Sequence, residues 1–203
     1  MVQPVWSKST PNLTLSDIQR EVVLGSNIHS APTRVIALEN TYGGTILPLS
    51  EIQRISTFAR SHDIRIHCDG ARLWNAVAAG AGSLKEYGEA FDSVSMCFSK
   101  GVGAPVGSVL VGSKVFIDRA RWVRKSIGGG MRQTGVIAGA ARAALDEVFP
   151  KKMAATHEVA KDIEKHLGTL GLKTVLPVDT NMIFIVSLFS RYRIAEIDSG
   201  WVW

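Results

Sequence analysis

An α/β fold, with a mostly parallel sheet flanked by helices, is what three features of this 203-residue sequence predict. Short apolar runs rich in β-branched residues recur as TRVIAL, IRIHCD and VSMCF, each bounded by turn-forming residues. Between them lie stretches whose apolar residues return at helical spacing, so strand and helix alternate as in βαβ units. The chain is also long enough to bury one large core.

In chain order, the first dozen residues carry two prolines and no periodicity, and they read as a loose end. Residues 14–24 place Ile18, Val22 and Val23 on one face, with Thr14 and Asp17 as the start of a helix. TRVIAL (33–38) predicts a strand that runs into the turn-rich loop Glu39-Asn40-Thr41-Tyr42-Gly43-Gly44. Ser50 and Gln53 have the spacing of a capping box, and Ile52, Ile55 and Ala59 give that helix an apolar face ending near His62. Residues 64–69 predict a strand broken by Gly70. The stretch DSVSMCFSKGVGAPVGSVLVG (92–112) reads as two buried strands around a glycine-rich turn, with Lys100 where the first gives way. Helices are expected at 113–127, 131–149 and 152–170, the last closed by Gly171. Residues 173–178 and 182–188 look like two further strands.

Composition narrows the function classes. Apolar residues make up 46% of the chain and the net charge is +5, but Lys and Arg are interleaved with Asp and Glu. That is a solvated face, so no nucleic acid partner is expected. No apolar run is long enough for a membrane span, so no membrane partner is expected either. Cys68 and Cys97 do not make a disulfide framework, and the N-terminus lacks the pattern of a signal peptide; a cytoplasmic location follows. Asn12-Leu13-Thr14 matches a glycosylation acceptor, an accidental match without a secretion signal.

Asp69 and Lys100 each close a predicted strand, and in open α/β sheets ligands bind outside those carboxyl ends. Arg72 returns toward Asp69 if the chain turns into a helix at Gly70. An amine, an acid and a guanidinium are what pyridoxal phosphate requires. The amine attaches to its aldehyde, the acid keeps its ring nitrogen protonated, and the guanidinium takes a carboxylate or phosphate. A lysine held against apolar walls would also be a better nucleophile. Gly101, Gly103 and Gly107 fall one residue off a dinucleotide fingerprint, but Pro105 and the β-branched run after it favour a strand over the required helix. Gly128-Gly129-Gly130 lacks the Lys-Ser/Thr of a P-loop.

The wording of four segments is more specific. His67-Cys68-Asp69-Gly70-Ala71-Arg72-Leu73-Trp74-Asn75-Ala76 resembles the HxDGARxxNA pattern of threonine aldolases and the related aromatic amino acid β-eliminating lyases. The segment from Ser99 to Ser108 resembles that family's lysine segment, Arg124 to Gln133 its RKxxGGGxRQ stretch, and Leu38-Glu39-Asn40-Thr41 its LENT loop.

The resemblance implies a partial large domain of the aspartate-aminotransferase type, shortened at both ends, over residues 13–186. Residues 1–12 would be the loose end and 187–203 a divergent tail. It implies Lys100 as the lysine that carries pyridoxal 5'-phosphate, Asp69 as the partner of the ring nitrogen, Arg72 as a ligand for the substrate carboxylate and Arg132 as a phosphate ligand. A homo-oligomer, dimer or tetramer, and a small amino acid substrate follow by the same resemblance. The implied reaction is cleavage of L-threonine or L-allo-threonine to glycine and acetaldehyde. Two alternatives stay open: β-elimination from an aromatic amino acid, and a non-catalytic remnant that binds cofactor weakly or pairs with a full-length subunit. His67 is expected to be structural. Some members follow the LENT threonine with a histidine, where this chain has Tyr42.

Overall fold

The computed structural model describes residues 1–8, 11–25 and 28–186. Helix α1 (Leu15–Glu21) starts where Thr14 caps it: its hydroxyl accepts the Asp17 N–H, and the Asp17 carboxylate accepts the Thr14 N–H at 2.9 Å. Strand β1 (Val35–Glu39), helix α2 (Leu49–Ser61) and strand β2 (Arg65–Asp69) form the first βαβ unit. Helices α3 (Leu73–Ala78) and α4 (Leu84–Ala90) lead to β3 (Ser93–Cys97). Then come β4 (Ser108–Gly112), α5 (Lys114–Ser126), α6 (Gly135–Val148) and α7 (Lys151–Thr169).

The sheet runs β1-β2-β3-β4, parallel across its first three strands, with β4 antiparallel against β3. One face is the core. Ile36, Leu38, Ile66, Cys68, Val94 and Met96 point into it, where α2 supplies Ile52, Ile55 and Ala59 and α4 supplies Tyr87. Among the described residues the other face is exposed along β1, which alternates exposed and buried residues, and more covered toward β3. Sequence alternation in IRIHCD therefore encodes a sheet covered on one side, because side chains of successive strand residues point to opposite faces.

Four expectations need correction. Ser50 and Gln53 form no capping box. The N-cap is Pro48, which makes no side-chain cap bond, and Ser50 lies inside α2. The neighbouring Glu51 is used instead, accepting the Leu15 N–H at 2.6 Å and so tying α1 to α2. The second apolar run of the central stretch is not a buried strand. β4 lies at the sheet edge, pairs with β3 alone, and is exposed along most of its length. Residues 173–178 and 182–186 form no strands; they meet in a single bridge, Thr174 with Ile185. The loop between them docks elsewhere, with Asp179 accepting the Ile46 N–H at 2.9 Å and Thr180 donating to the Gly44 carbonyl at 2.7 Å. Finally, α6 begins at Gly135, not at residue 131. Residues 187 and 188 of the last predicted strand, and the tail at 187–203, lie outside the described residues.

α4 escaped the sequence reading although its signal is legible. Ser83 accepts the Glu86 N–H while Glu86 accepts the Ser83 N–H, a full capping box. α5 buries none of its residues; Val115 and Trp122 stand exposed on it, and Ile127 just past its end. Among the described residues, no helix is long and apolar enough to cross a membrane.

Candidate active site

Parallel pairing brings three strand ends level. Glu39 is the register partner of Asp69, and Asp69 of Ser95, so the three side chains stand in one row on the open face. The three loops that leave this row form the site.

After β1, Asn40 is fully buried and closes its own loop. Its side-chain oxygen accepts the Leu47 N–H at 3.1 Å, and its backbone N–H donates to the Asp69 carbonyl at 3.0 Å. After β2, the Gly70 N–H donates to the Ser95 carbonyl at 2.8 Å. A β-carbon at Gly70 would lie 2.8 Å from that same oxygen, so only glycine allows the approach. The chain then turns sharply, with the Leu73 N–H on the Gly70 carbonyl at 2.9 Å. Arg72 sits half-buried at the start of α3, and Asp69 Oδ1 accepts the Ala71 N–H at 3.1 Å.

After β3, the glycine-rich segment folds back on itself. The Phe98 N–H reaches the Gly107 carbonyl at 2.9 Å, the Ala104 N–H the Phe98 carbonyl at 3.0 Å, and the Gly103 N–H the Lys100 carbonyl at 2.8 Å. Gly103 and Gly107 hold φ at +85° and +116°, a region that side chains disfavour. Val102 is fully buried and pins the turn, which leaves Lys100 exposed at its start. Lys100 is thus not held between apolar walls, because the open side of the sheet carries no cover over it among the described residues. A strand follows this glycine segment, as the rejection of a dinucleotide fingerprint requires.

Electrostatics shows the convergence. Desolvation, and then the negative charge of Asp69, push the Glu39 carboxyl above its ordinary value of 4.5, while Arg72 and Lys100 pull it back down. One carboxyl therefore senses all three of the acid, the guanidinium and the amine that the sequence singled out. Among the described residues, none of Asp69, Arg72 and Lys100 is engaged in an ion pair with another side chain. This unspent donor set fits the aldehyde, ring-nitrogen and carboxylate ends of a pyridoxal phosphate–amino acid pair. Cys68 lies beside them on the core face. Burial first, and Asp69 second, push its thiol up to about 12, so it is an inert core residue.

Arg132 stands apart. It is exposed on the segment between α5 and α6 and is not among the charges acting on Glu39. His67 Nδ1 lies 2.8 Å from the Ser93 hydroxyl, so it bonds across β2 and β3. Tyr42 is exposed beyond the Glu39 loop. The loop motif suggests Glu39-Asn40-Thr41 as lining of the pocket; the place of Glu39 opposite Asp69 follows from strand register, which the motif does not contain.

A pH-dependent stability effect follows at Glu39. A carboxyl raised in the fold opposes folding once it ionises, above pH values near the ordinary 4.5, and costs nothing when protonated in both states. Glu39→Gln is therefore expected to raise the melting temperature at pH 7 and to lose that advantage as the pH falls below about 4. Melts of the two proteins across that range check it; an equal difference at both ends would contradict it.

A half-open α/β sheet with an acid, an amine and a guanidinium on its carboxyl edge defines a class of protein that binds a small ligand above its strand ends. The chain belongs to the β-eliminating lyase family, whose model matches residues 1–188. It is 51% identical over 186 residues to aldolase vrtJ of Penicillium aethiopicum, covering 91% of this chain and 48% of the relative. It is 42% identical over 186 residues to the low specificity L-threonine aldolase of Saccharomyces cerevisiae, again 91% of this chain and 48% of the relative. Among solved structures, a threonine aldolase from Leishmania major superposes with a TM-score of 0.76 at 20% identity, over 86% of this chain and 52% of that one, a likeness of fold. An SPT with PLP superposes with a TM-score of 0.56 at 23% identity, over 76% of this chain and 40% of that one. The chain spans about half the length of the curated relatives it matches.

Proposed function

We propose that the protein to which this chain belongs cleaves the Cα–Cβ bond of a β-hydroxy amino acid, L-threonine or L-allo-threonine, to glycine and acetaldehyde, with pyridoxal phosphate as cofactor. What supports the reading is that Asp69, Arg72 and Lys100 lie at or just beyond the carboxyl ends of β2 and β3 and that their charges all act on the Glu39 carboxyl. It is supported by the names of the relatives, several of which are low-specificity L-threonine aldolases.

Pyridoxal phosphate, when bound, supplies a ring that takes up the electron pair released by bond cleavage. Lys100 would be the residue that holds the cofactor, through its Nζ amine. Asp69 would be the partner of the ring nitrogen and would favour a proton there. Arg72 takes the substrate carboxylate and fixes which bond stands ready to break. Arg132 would reach the cofactor phosphate from a neighbouring subunit, in keeping with its absence from the charges acting on Glu39. Exposed Val115, Trp122 and Ile127 support a homo-oligomer, dimer or tetramer, and the two free cysteines, Cys68 and Cys97, support a cytoplasmic location.

The family's own description favours one rival, β-elimination on the same residues. Product analysis separates the two. Incubation with L-threonine and with an aromatic amino acid should give glycine and acetaldehyde from the first. Pyruvate and ammonia from the second, with no glycine from the first, would move the assignment to the rival. Cofactor on Lys100 with neither product would mark a binding remnant.

A further inference from the structure

α7 contributes a histidine that the reading above leaves unused. His157 is 2% exposed, and its Nε2 lies 3.0 Å from the side-chain oxygen of Asn75 on α3. An amide oxygen only accepts, so Nε2 carries the proton and Nδ1 is the bare acceptor. That Nδ1 is buried with no hydrogen-bond partner among the described residues. A buried acceptor left unpaired costs stability, and an apolar residue of similar volume would avoid the cost.

Asn75 is the floor of the Lys100 turn. At Gly101, the residue after Lys100, a β-carbon would meet Met153 Cε at 3.3 Å and the two amide atoms of Asn75 at 3.6 Å and 3.7 Å. The space beside the Gly101 α-carbon is therefore bounded by Met153 and Asn75 together. Met153 and His157 lie one helical turn apart on α7, so a single helix face supports this backbone twice, once directly and once through Asn75. Without the bond from His157, the Asn75 amide is free to rotate, and the peptide on top of it loses a fixed seat.

We propose that His157 is a positioning residue for Lys100: by orienting the Asn75 amide it fixes the peptide at Gly101, and with it the direction in which the Lys100 amine projects. This rests on the reading of Lys100 as the amine that takes the cofactor aldehyde, but half of it is testable without that reading.

Three variants decide it. His157→Leu fills the space without the donor, His157→Gln keeps an N–H within reach of Asn75, and Asn75→Ala removes the same link from the α3 side. Two readouts are taken on each folded protein, with folding judged by a cooperative melt. The first is hydrogen–deuterium exchange of the peptide spanning residues 98–107, without cofactor. The second is the rate at which Lys100 is labelled by pyridoxal phosphate and borohydride, located by peptide mass. In His157→Leu and Asn75→Ala, exchange in that peptide should quicken beyond that of the α2 peptides, and Lys100 labelling should slow about tenfold. His157→Gln should restore both. Native exchange and labelling in either folded variant overturn the proposal, as does a His157→Gln protein indistinguishable from His157→Leu. Failure of the wild-type protein to label Lys100 would instead count against the function proposed above, while the exchange data still judge the floor beneath Gly101.

Discussion

Lys100→Ala is expected to abolish borohydride-trapped labelling by pyridoxal phosphate at the site and to reduce any cleavage of L-threonine to background. The reason is positional. The turn that begins at Lys100 is held by the Gly103 N–H on the Lys100 carbonyl at 2.8 Å and by fully buried Val102, so no other lysine can be delivered to the same place by local rearrangement. Loss of a covalent catalytic group commonly costs several orders of magnitude in rate, roughly 10³ or more. The measurement is peptide mass mapping of the trapped adduct beside a coupled assay for acetaldehyde. The same amount of label in Lys100→Ala, spread over other lysines, would mean that the wild-type labelling was surface chemistry and would remove Lys100 from the site. The variant's melt should match the parent, because the side chain it removes is exposed and makes no ion pair among the described residues.

Gly70→Ala is expected to be the most damaging small substitution at the site. Its new methyl would lie 2.8 Å from the Ser95 carbonyl oxygen, 3.1 Å from Leu73 Cβ and 3.2 Å from Val94 Cγ1. The first of these is backbone of the neighbouring strand and cannot rotate away. Relief requires β2 and β3 to part at their carboxyl ends, which stretches the 2.8 Å bond from the Gly70 N–H to that oxygen. Overpacking of about 1–3 kcal/mol and a strained hydrogen bond of about 1 kcal/mol combine to roughly 2–4 kcal/mol. Gly88→Ala is the control. Gly88 lies in α4 with nothing within 4 Å of a built β-carbon, so alanine there should be neutral or stabilising by about 0.5–1 kcal/mol. Urea melts of both variants check the pair; equal stabilities would show that the strand ends are more yielding than their geometry indicates. Because Asp69 and Lys100 leave the same two strands, Gly70→Ala should also slow labelling of Lys100.

Much of this was legible in the residues. The strands at 35–39, 65–69 and 93–97 fell within one or two residues of their predicted places, because each carries a short apolar run punctuated by Gly, Pro or Asp. The motif around Asp69, Gly70 and Arg72 also carried its own reasons, since the glycine is where β2 meets the Ser95 carbonyl. Ser50 and Gln53 misled because a capping box is a local pattern. Which residue begins a helix depends on how the preceding chain arrives, and here Pro48 arrives first. The run at 106–111 misled for another reason. Apolar composition reports the wish to be buried, whereas β4 takes the sheet edge, and neither face of it is covered among the described residues.

By itself the sequence determined the α/β class, the strand-end placement of Asp69 and Lys100 and the family to which the chain belongs, because periodicity, turn chemistry and motif wording are all properties of neighbours along the chain. Only the tertiary structure decided that Glu39 stands opposite Asp69, that β4 runs antiparallel, and that His157 reaches across 82 residues to Asn75 beneath the Lys100 turn. Strand register and helix docking join residues far apart in sequence, and the packing that selects one such pairing over another is written in no single segment.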